Sequence, residues 1–237
     1  MTSTPQPDSV TLYESLEPYL TSVRLSPYLA YMQGNRRKAI QLYQWNVGLS
    51  GAMHEALHVF VVVLRNAMDS QVCSWNASQQ RTDGSGRYGR DWLMDPAPLL
   101  ARLVPMGDLT IAKNRAWTAV GKSRKITHAD VLAQMPFSVW RFLLPDKDPG
   151  RQLLWSAALS VAFPKLVRPE IQFVAAVAGI YEIRNRVAHL EPLIDVVRTR
   201  TQFQNMREVL GEIEPAVGQW FLSNQRVTSF LKAVPTL

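Results

Sequence analysis

The chain has 237 residues, of which 47% are hydrophobic, so it can bury a sizeable core in one large domain or two small ones. Its single cysteine, Cys73, excludes an intramolecular disulfide and favours a reducing compartment. The formal net charge of +7 and the sequence pI of about 9.8 favour a nucleic acid or another polyanion as partner, although charge alone fits a merely basic protein equally well.

Residues 1–24 are predicted to form a lead-in and a first short helix. The segment 1–9 is polar and contains prolines, without the basic start and apolar run of a signal peptide. The longest apolar runs, 59–64 and 173–181, are shorter than the roughly 20 residues that a membrane-spanning helix needs. We therefore expect a cytoplasmic protein without membrane contact, in which residues 25–237 form a single domain.

The first half of that domain has helical periodicity. Ser26 and Pro27 have the character of an N-cap and a first helical position. Apolar residues then recur at spacings of three and four from Arg37 to about Ser74, and glycines at 48 and 51 predict a break between two successive helices. The segment 76–88 has no periodicity and is predicted to be a loop.

The second half is also predicted to be helical. A short helix is expected to start at 95–96, and residues 127–130 have the spacing of a capping box. A mostly buried helix is predicted over 171–189, and Pro192 can begin the next helix, which reaches about Asn224. Because no segment shows convincing strand alternation, the sequence predicts an all-α fold.

The candidate site with the most chemical content lies at the end of the buried helix. Arg184, Asn185 and His189 occur within six residues, and Asn185 and His189 lie one turn apart on one face. A guanidinium can hold a phosphate, and an imidazole can transfer a proton near neutral pH. This set suits metal-independent cleavage of a phosphodiester. The alternative is that these basic residues only cap the helix C-terminus.

A second motif, His54-Glu55-Ala56-Leu57-His58, matches the zinc-hydrolase pattern H-E-x-x-H. Two imidazoles on one helical face could bind zinc, and Glu55 could activate water. The pattern lacks an evident third ligand, because no glutamate occurs between Glu55 and Glu170. The zinc hydrolase is therefore the weaker hypothesis, and the alternative is a packed helix with polar positions.

The segment from Arg184 to His189 fits the R-x4-H signature of HEPN ribonucleases, and the string through Pro192 resembles the bacterial Abi-like proteins, named for abortive phage infection. The resemblance extends from about Tyr28 to Val234. Further matching segments follow in the same order: 43–46 ahead of the long helix, 64–67 within it, 135–140, 154–155 and 162–164.

This resemblance implies an all-α helical bundle of the HEPN type with additional peripheral helices, paired with a second copy to form a composite site. In similar proteins the histidine helps the 2'-hydroxyl of RNA to attack the neighbouring phosphate, and the arginine stabilises the developing charge. No cofactor or metal is needed. RNA is the expected substrate, and the protein is expected to act in phage defence or as a toxin. Whether a neutralising antitoxin exists is open.

Other residues receive supporting roles from the resemblance. Arg65 and Asn66 match the Leu-Arg-Asn segment of the family, and they either line the site or only bond the motif helix. Arg186 and Glu191 are expected to support the site or bind RNA. The chain departs from the family at Val61, where an acidic residue is frequent, and at Leu190, where many members have a second histidine. The alternative function is a non-catalytic RNA-binding HEPN module.

Overall fold

The computed structural model describes residues 9–121 and 123–236, and their regular structure is helical. The extended pairing among these residues is limited to an isolated antiparallel bridge between Gln80 and Arg87. The predicted all-α class is confirmed, whereas the HEPN-type bundle stays a prediction. In chain order the helices are α1 (Ser9–Leu20), α2 (Ser22–Tyr31), α3 (Arg36–Ser78), α4 (Pro98–Leu103), α5 (Met106–Ala119), α6 (His128–Gln134), α7 (Phe137–Leu143), α8 (Pro149–Ala157), a 3₁₀ helix (Leu159–Ala162), α9 (Glu170–Ala188), α10 (Val196–Ile213), α11 (Pro215–Ser223) and α12 (Val227–Lys232).

Helix α3 is a single helix of 43 residues, so the predicted break at its glycines is wrong. The helix continues to Ser78, so the loop predicted over 76–88 starts too early by three residues. Gly48 lies against the ring of Phe230, and a Cβ at residue 48 would overlap that ring. The glycine therefore serves close packing and does not end the helix. A glycine in a helix interior costs only about 1 kcal/mol, which the burial of several apolar side chains on the same helix outweighs.

Helix α2 begins at Ser22, four positions before the predicted N-cap, and contains Pro27 in its interior. The actual cap is Thr21, whose hydroxyl accepts a hydrogen bond from the N–H of Arg24. Proline has no N–H to donate to the carbonyl one turn earlier. The hydroxyl of Ser26 donates to that carbonyl, on Val23, at 2.9 Å, so the proline is tolerated.

The predicted helix starts in the middle of the chain have different outcomes. Helix α4 begins at Pro98, later than the predicted start at Pro96. The capping box before α6 is confirmed, because the Thr127 hydroxyl accepts from the N–H of Asp130 and the Asp130 carboxylate accepts from the N–H of Thr127. Such a box depends on residues three apart, and the local sequence therefore determines it.

The predicted motif helix is confirmed as α9. Pro192 does not begin the next helix, because residues 191–195 are not helical and α10 starts at Val196. The helix predicted to reach Asn224 is two helices, α10 and α11. Pro215 separates them, since proline cannot continue the hydrogen-bond ladder but is well suited to the first turn of α11.

One compact unit comprises the described residues within 1–57, 182–204 and 224–237. In its core Tyr28 of α2 packs edge-on against Tyr43 of α3, with ring centroids 5.2 Å apart. The indole N–H of Trp45 donates to the carbonyl of Phe230 at 2.9 Å. The first part of α3 is thereby joined to α2 and to α12.

The other unit comprises residues 58–181, without residue 122, and residues 205–223. Its core contains Trp92 and Trp140, both fully buried and packed edge to face with centroids 6.0 Å apart. The buried amide of Asn76 bonds the carbonyls of Gly89 and Asp95 and the N–H of Ala97. These bonds fix the chain that follows α3.

The predicted division into residues 1–24 and 25–237 stays a prediction, although α2 runs across residue 24. Residues 1–8 of the predicted lead-in lie outside the described residues. Among the helices described, α3 is long and apolar enough to cross a membrane, with a mean hydropathy of 1.6 over its most apolar 18 residues. This is a weak indication, because core helices of soluble proteins share these properties, and it is consistent with a soluble protein.

Candidate functional site

Helix α9 ends in a hydrogen-bonded turn that places the predicted catalytic histidine at the helix cap. The N–H of Glu191 donates to the carbonyl of Arg186 at 2.8 Å, and the N–H of Leu190 donates to the carbonyl of Val187 at 3.2 Å. This pair of bonds is a Schellman motif, which needs a residue in the left-handed region. Leu190 occupies that position with φ of 58°, where glycine is usual. His189 directly precedes the reversal of the chain.

The structure brings Arg184 and Asn185 into contact and leaves His189 exposed. Nη1 of Arg184 donates to Oδ1 of Asn185 at 3.2 Å, and both side chains are half-buried. The long arginine side chain thus reaches round to the face of Asn185, as the spacing requires. The N–H of His189 donates to the carbonyl of Asn185 at 2.9 Å, so the imidazole lies one turn beyond the amide.

Arg186 and Glu191 bind the chain that follows the helix. A guanidinium N–H of Arg186 donates to the carbonyl of Pro192, and its Nε lies 3.7 Å from a carboxylate oxygen of Glu191. The N–H of Leu193 donates to Oδ1 of the buried Asn46 at 2.6 Å. These contacts fix residues 191–193 in place within the first unit. The predicted RNA-binding roles of Arg186 and Glu191 stay predictions.

A cavity of about 480 Å³ opens beside the end of α9. Its walls are mostly apolar or aromatic, with a few polar groups that could orient a ligand. The lining residues come from α2, from α3 and from the end of α9: Arg24, Tyr28, Tyr43, Asn46, Val47, Ser50, Gly51, His54, Val187, Ala188 and Leu190.

Two polar side chains of the cavity differ in their surroundings. Burial raises the pKa of the Tyr28 hydroxyl to about 12, against the smaller opposing effect of the positive charge on Arg24. Tyr28 is therefore a neutral hydrogen-bonding group at physiological pH. His54 is exposed on α3 and contributes a second imidazole to this unit, apart from His189. A planar base can stack on an aromatic ring such as that of the half-buried Tyr43.

Arg65 and Asn66 belong to the second unit, whereas residues 184–191 belong to the first. Nη1 of Arg65 donates to the carbonyls of Leu132 and Ala133, at 3.4 and 3.2 Å, and so caps the C-terminus of α6. Burial lowers the pKa of the Arg65 guanidinium, and the negative charge of nearby Asp69 partly offsets this lowering. Asn66 is exposed. Arg65 thus donates hydrogen bonds to α6. Neither of the two predicted roles, lining the site or bonding the motif helix, includes these bonds.

In the H-E-x-x-H segment the glutamate is paired with an arginine. Nε and Nη2 of Arg226 donate to the two carboxylate oxygens of Glu55, at 3.1 and 2.5 Å, and these hydrogen bonds lower the pKa of the carboxyl group. His54 and His58 are exposed. Within the part of the chain that the structure describes, this segment does not gather three potential metal ligands. The geometry therefore lends the zinc-hydrolase alternative no support.

Sequence reasoning missed three groups at this end of α9: Arg24, Tyr28 and the buried amide of Asn46. The sequence did contain one signal for Asn46, because segment 43–46 resembles the Abi-like proteins. That segment was expected ahead of the long helix but lies within α3. Arg24 had no signal, because only the fold of α2 brings it to the cavity.

Comparisons with protein-family models, with curated proteins and with solved structures each gave no match.

Proposed function

We propose that this protein is a metal-independent endoribonuclease of the cytoplasm that acts in phage defence or as a toxin. The main observation that supports this proposal is the exposed imidazole of His189 at the end of α9, one turn from the hydrogen-bonded pair of Arg184 and Asn185. The sequence resemblance to Abi-like HEPN proteins supports the same reaction.

In this mechanism His189 assists proton transfer. The 2'-oxygen of a ribose loses its proton and attacks the adjacent phosphorus, and the bond from phosphorus to the 5'-oxygen breaks. The leaving oxygen takes up a proton, so the products are a 2',3'-cyclic phosphate and a 5'-hydroxyl. An imidazole is suited to both transfers because its ordinary pKa lies near neutral pH.

Arg184 supplies charge stabilisation. Negative charge accumulates on the non-bridging phosphate oxygens during the attack, and a positioned guanidinium stabilises it more strongly than mobile water does. The hydrogen bond from Arg184 to Asn185 restricts the guanidinium before substrate binds. Asn185 is thus a positioning residue.

The cavity beside α9 offers a place for a nucleobase. Its volume of about 480 Å³ suits a nucleotide-sized ligand, and its aromatic and basic side chains match a base and a phosphate. The net charge of +7 favours a polyanionic substrate. A composite site between two copies would bring two such ends of α9 to one strand of RNA.

The test is to incubate the protein with total RNA and with a defined single-stranded oligonucleotide in the presence of a chelator. Wild type should produce fragments with 2',3'-cyclic phosphate and 5'-hydroxyl ends. His189→Ala should reduce the initial rate by about 10²–10⁴-fold, the usual contribution of general acid–base catalysis. His58→Ala, which removes another exposed histidine, should cleave as wild type does.

The outcome separates the competing functions. RNA that shifts in mobility but keeps its full length would favour the non-catalytic RNA-binding module. Cleavage that survives in His189→Ala, or that stops in chelator, would overturn the proposal. Sedimentation of both variants reports the oligomeric state and shows whether loss of activity follows from loss of pairing.

A further inference from the structure

We propose that Asp69, Cys73 and His128 form a binding site for a divalent transition-metal ion, with zinc preferred. The proposal concerns the second unit and does not depend on the proposed function. Asp69 and Cys73 are buried on α3, and His128 is the half-buried first residue of α6. Each residue offers one potential ligand atom: a carboxylate oxygen, a sulfur or an imidazole nitrogen. Among the described residues, these three side chains bring such atoms within 4.8 Å of one another.

The chemistry of the donor set selects the class of metal. A thiolate, an imidazole and a carboxylate are all common zinc ligands, and a sulfur donor disfavours magnesium and calcium. Asp69 and Cys73 are four residues apart on one helix, so their side chains lie one above the other on the same face. A metal at this point would therefore connect α3 to the start of α6.

The distances between the three ligand atoms lie within a few tenths of an ångström of those in a tetrahedral site, so small side-chain shifts would admit the ion. Zinc bonds of about 2.0–2.3 Å at tetrahedral angles place ligand atoms roughly 3.3–3.6 Å apart. Sγ of Cys73 lies 3.7 Å from Nε2 of His128 and 3.7 Å from Oδ2 of Asp69. Nε2 of His128 lies 3.0 Å from the same Oδ2. Three protein ligands would leave one position for water.

Hydrogen bonds around the cluster orient its ligands as metal sites require. Nδ1 of His128 lies 2.8 Å from Oδ1 of Asp91, so the imidazole can donate there and present Nε2 as the ligand. The indole N–H of Trp92 donates to Oδ1 of Asp69 at 2.8 Å, which leaves Oδ2 for the ion. The carboxylate–imidazole–metal arrangement is the usual support of a metal-binding histidine.

A proton is the competing occupant. The hydrogen bond that His128 donates to Asp69, together with its contacts to Cys73 and Asp91, raises the pKa of His128 to about 11, although burial acts in the opposite direction. Metal binding would release this proton from Nε2 and the thiol proton of Cys73 to solvent. The experiment must therefore distinguish a metal site from a hydrogen-bonded network that holds only protons.

Cobalt titration of the full, metal-stripped chain is the direct test. Cobalt(II) should bind at about one ion per chain and produce a thiolate-to-cobalt charge-transfer band in the near ultraviolet. Cys73 is the chain's one cysteine, so such a band identifies this site without any variant. Zinc should displace cobalt, abolish the band and raise the Tm by roughly 5–10 °C at a 100-fold excess over Kd.

Two variants complete the test. Cys73→Ser should lose the band and the zinc-dependent rise in Tm, with helical content checked by circular dichroism. The double variant His54→Ala and His58→Ala should keep both, because it removes only the H-E-x-x-H histidines. Cobalt binding without a charge-transfer band, or no stoichiometric binding by wild type, would overturn the proposal.

Discussion

The end of α9 and the cluster around His128 contain similar chemistry in opposite environments. At the end of α9 the imidazole of His189 is exposed, and Arg184 and Arg186 precede it on that helix. Around His128 the imidazole is half-buried between two carboxylates, with Trp92 and Cys73 beside them. An exposed imidazole can meet a substrate, whereas an enclosed one is fixed by its partners. Residue type alone therefore does not assign the role of a histidine.

After the loss expected for His189→Ala, the next largest effect also tests the exposed region. Arg184→Ala should reduce the initial rate of RNA cleavage by about 10²–10³-fold, because one positioned donor to transition-state charge contributes about that much. Arg184→Lys should recover part of the rate, since the charge stays but the planar fork is lost. Initial rates on one oligonucleotide measure both effects.

Arg200→Ala is the matched control, because it removes an equal charge from an exposed position of the same unit. It should lower the rate only slightly. Equal losses in Arg184→Ala and Arg200→Ala would mean that Arg184 contributes only general positive charge.

The second prediction tests the enclosed region. Trp92→Phe and Trp140→Phe each remove one indole from a fully buried position. Trp92 donates to Asp69, whereas the indole N–H of Trp140 has no hydrogen-bond partner among the described residues. Loss of a hydrogen bond to a charged group typically costs about 1.5–3 kcal/mol. Trp92→Phe should therefore lower the free energy of unfolding by about that much more than Trp140→Phe.

Urea unfolding of metal-stripped protein, with the slope m checked for constancy, measures this difference. Equal destabilisation of the two variants would show that Trp92 acts through its volume alone. The carboxylate of Asp69 would then be held by His128 without help from the indole.

The smallest expected effect concerns the backbone at the end of α9. Leu190 has φ of 58°, a conformation that costs a non-glycine residue about 1–2 kcal/mol. Glycine removes this strain but loses more entropy on folding, by about 0.5–1 kcal/mol. Leu190→Gly should therefore raise the free energy of unfolding by up to about 1.5 kcal/mol.

Ala188→Gly provides the comparison within the same turn. Ala188 is the last residue of α9, so glycine there should destabilise the protein by about 0.5–1 kcal/mol. Changes of the same sign in the two variants, measured in parallel denaturation curves, would contradict the assignment of strain to Leu190.

Local features of the fold were predictable, and the long-range ones were not. The capping box at Thr127 and the helix before His189 depend on residues within one or two turns, and both were predicted. The continuity of α3 was not, because the role of Gly48 depends on Phe230, far away in sequence. Likewise, nothing near Arg65 indicates that its partners are the carbonyls at the end of α6.

The sequence by itself determined the all-α class and the position of Arg184, Asn185 and His189 at a helix end, because helical periodicity and capping arise from neighbours along the chain. The tertiary structure decided the rest: that Glu55 is paired with Arg226, and that Asp69 and Cys73 meet His128. Such contacts depend on how distant segments pack their buried side chains, and no short stretch of sequence specifies that packing.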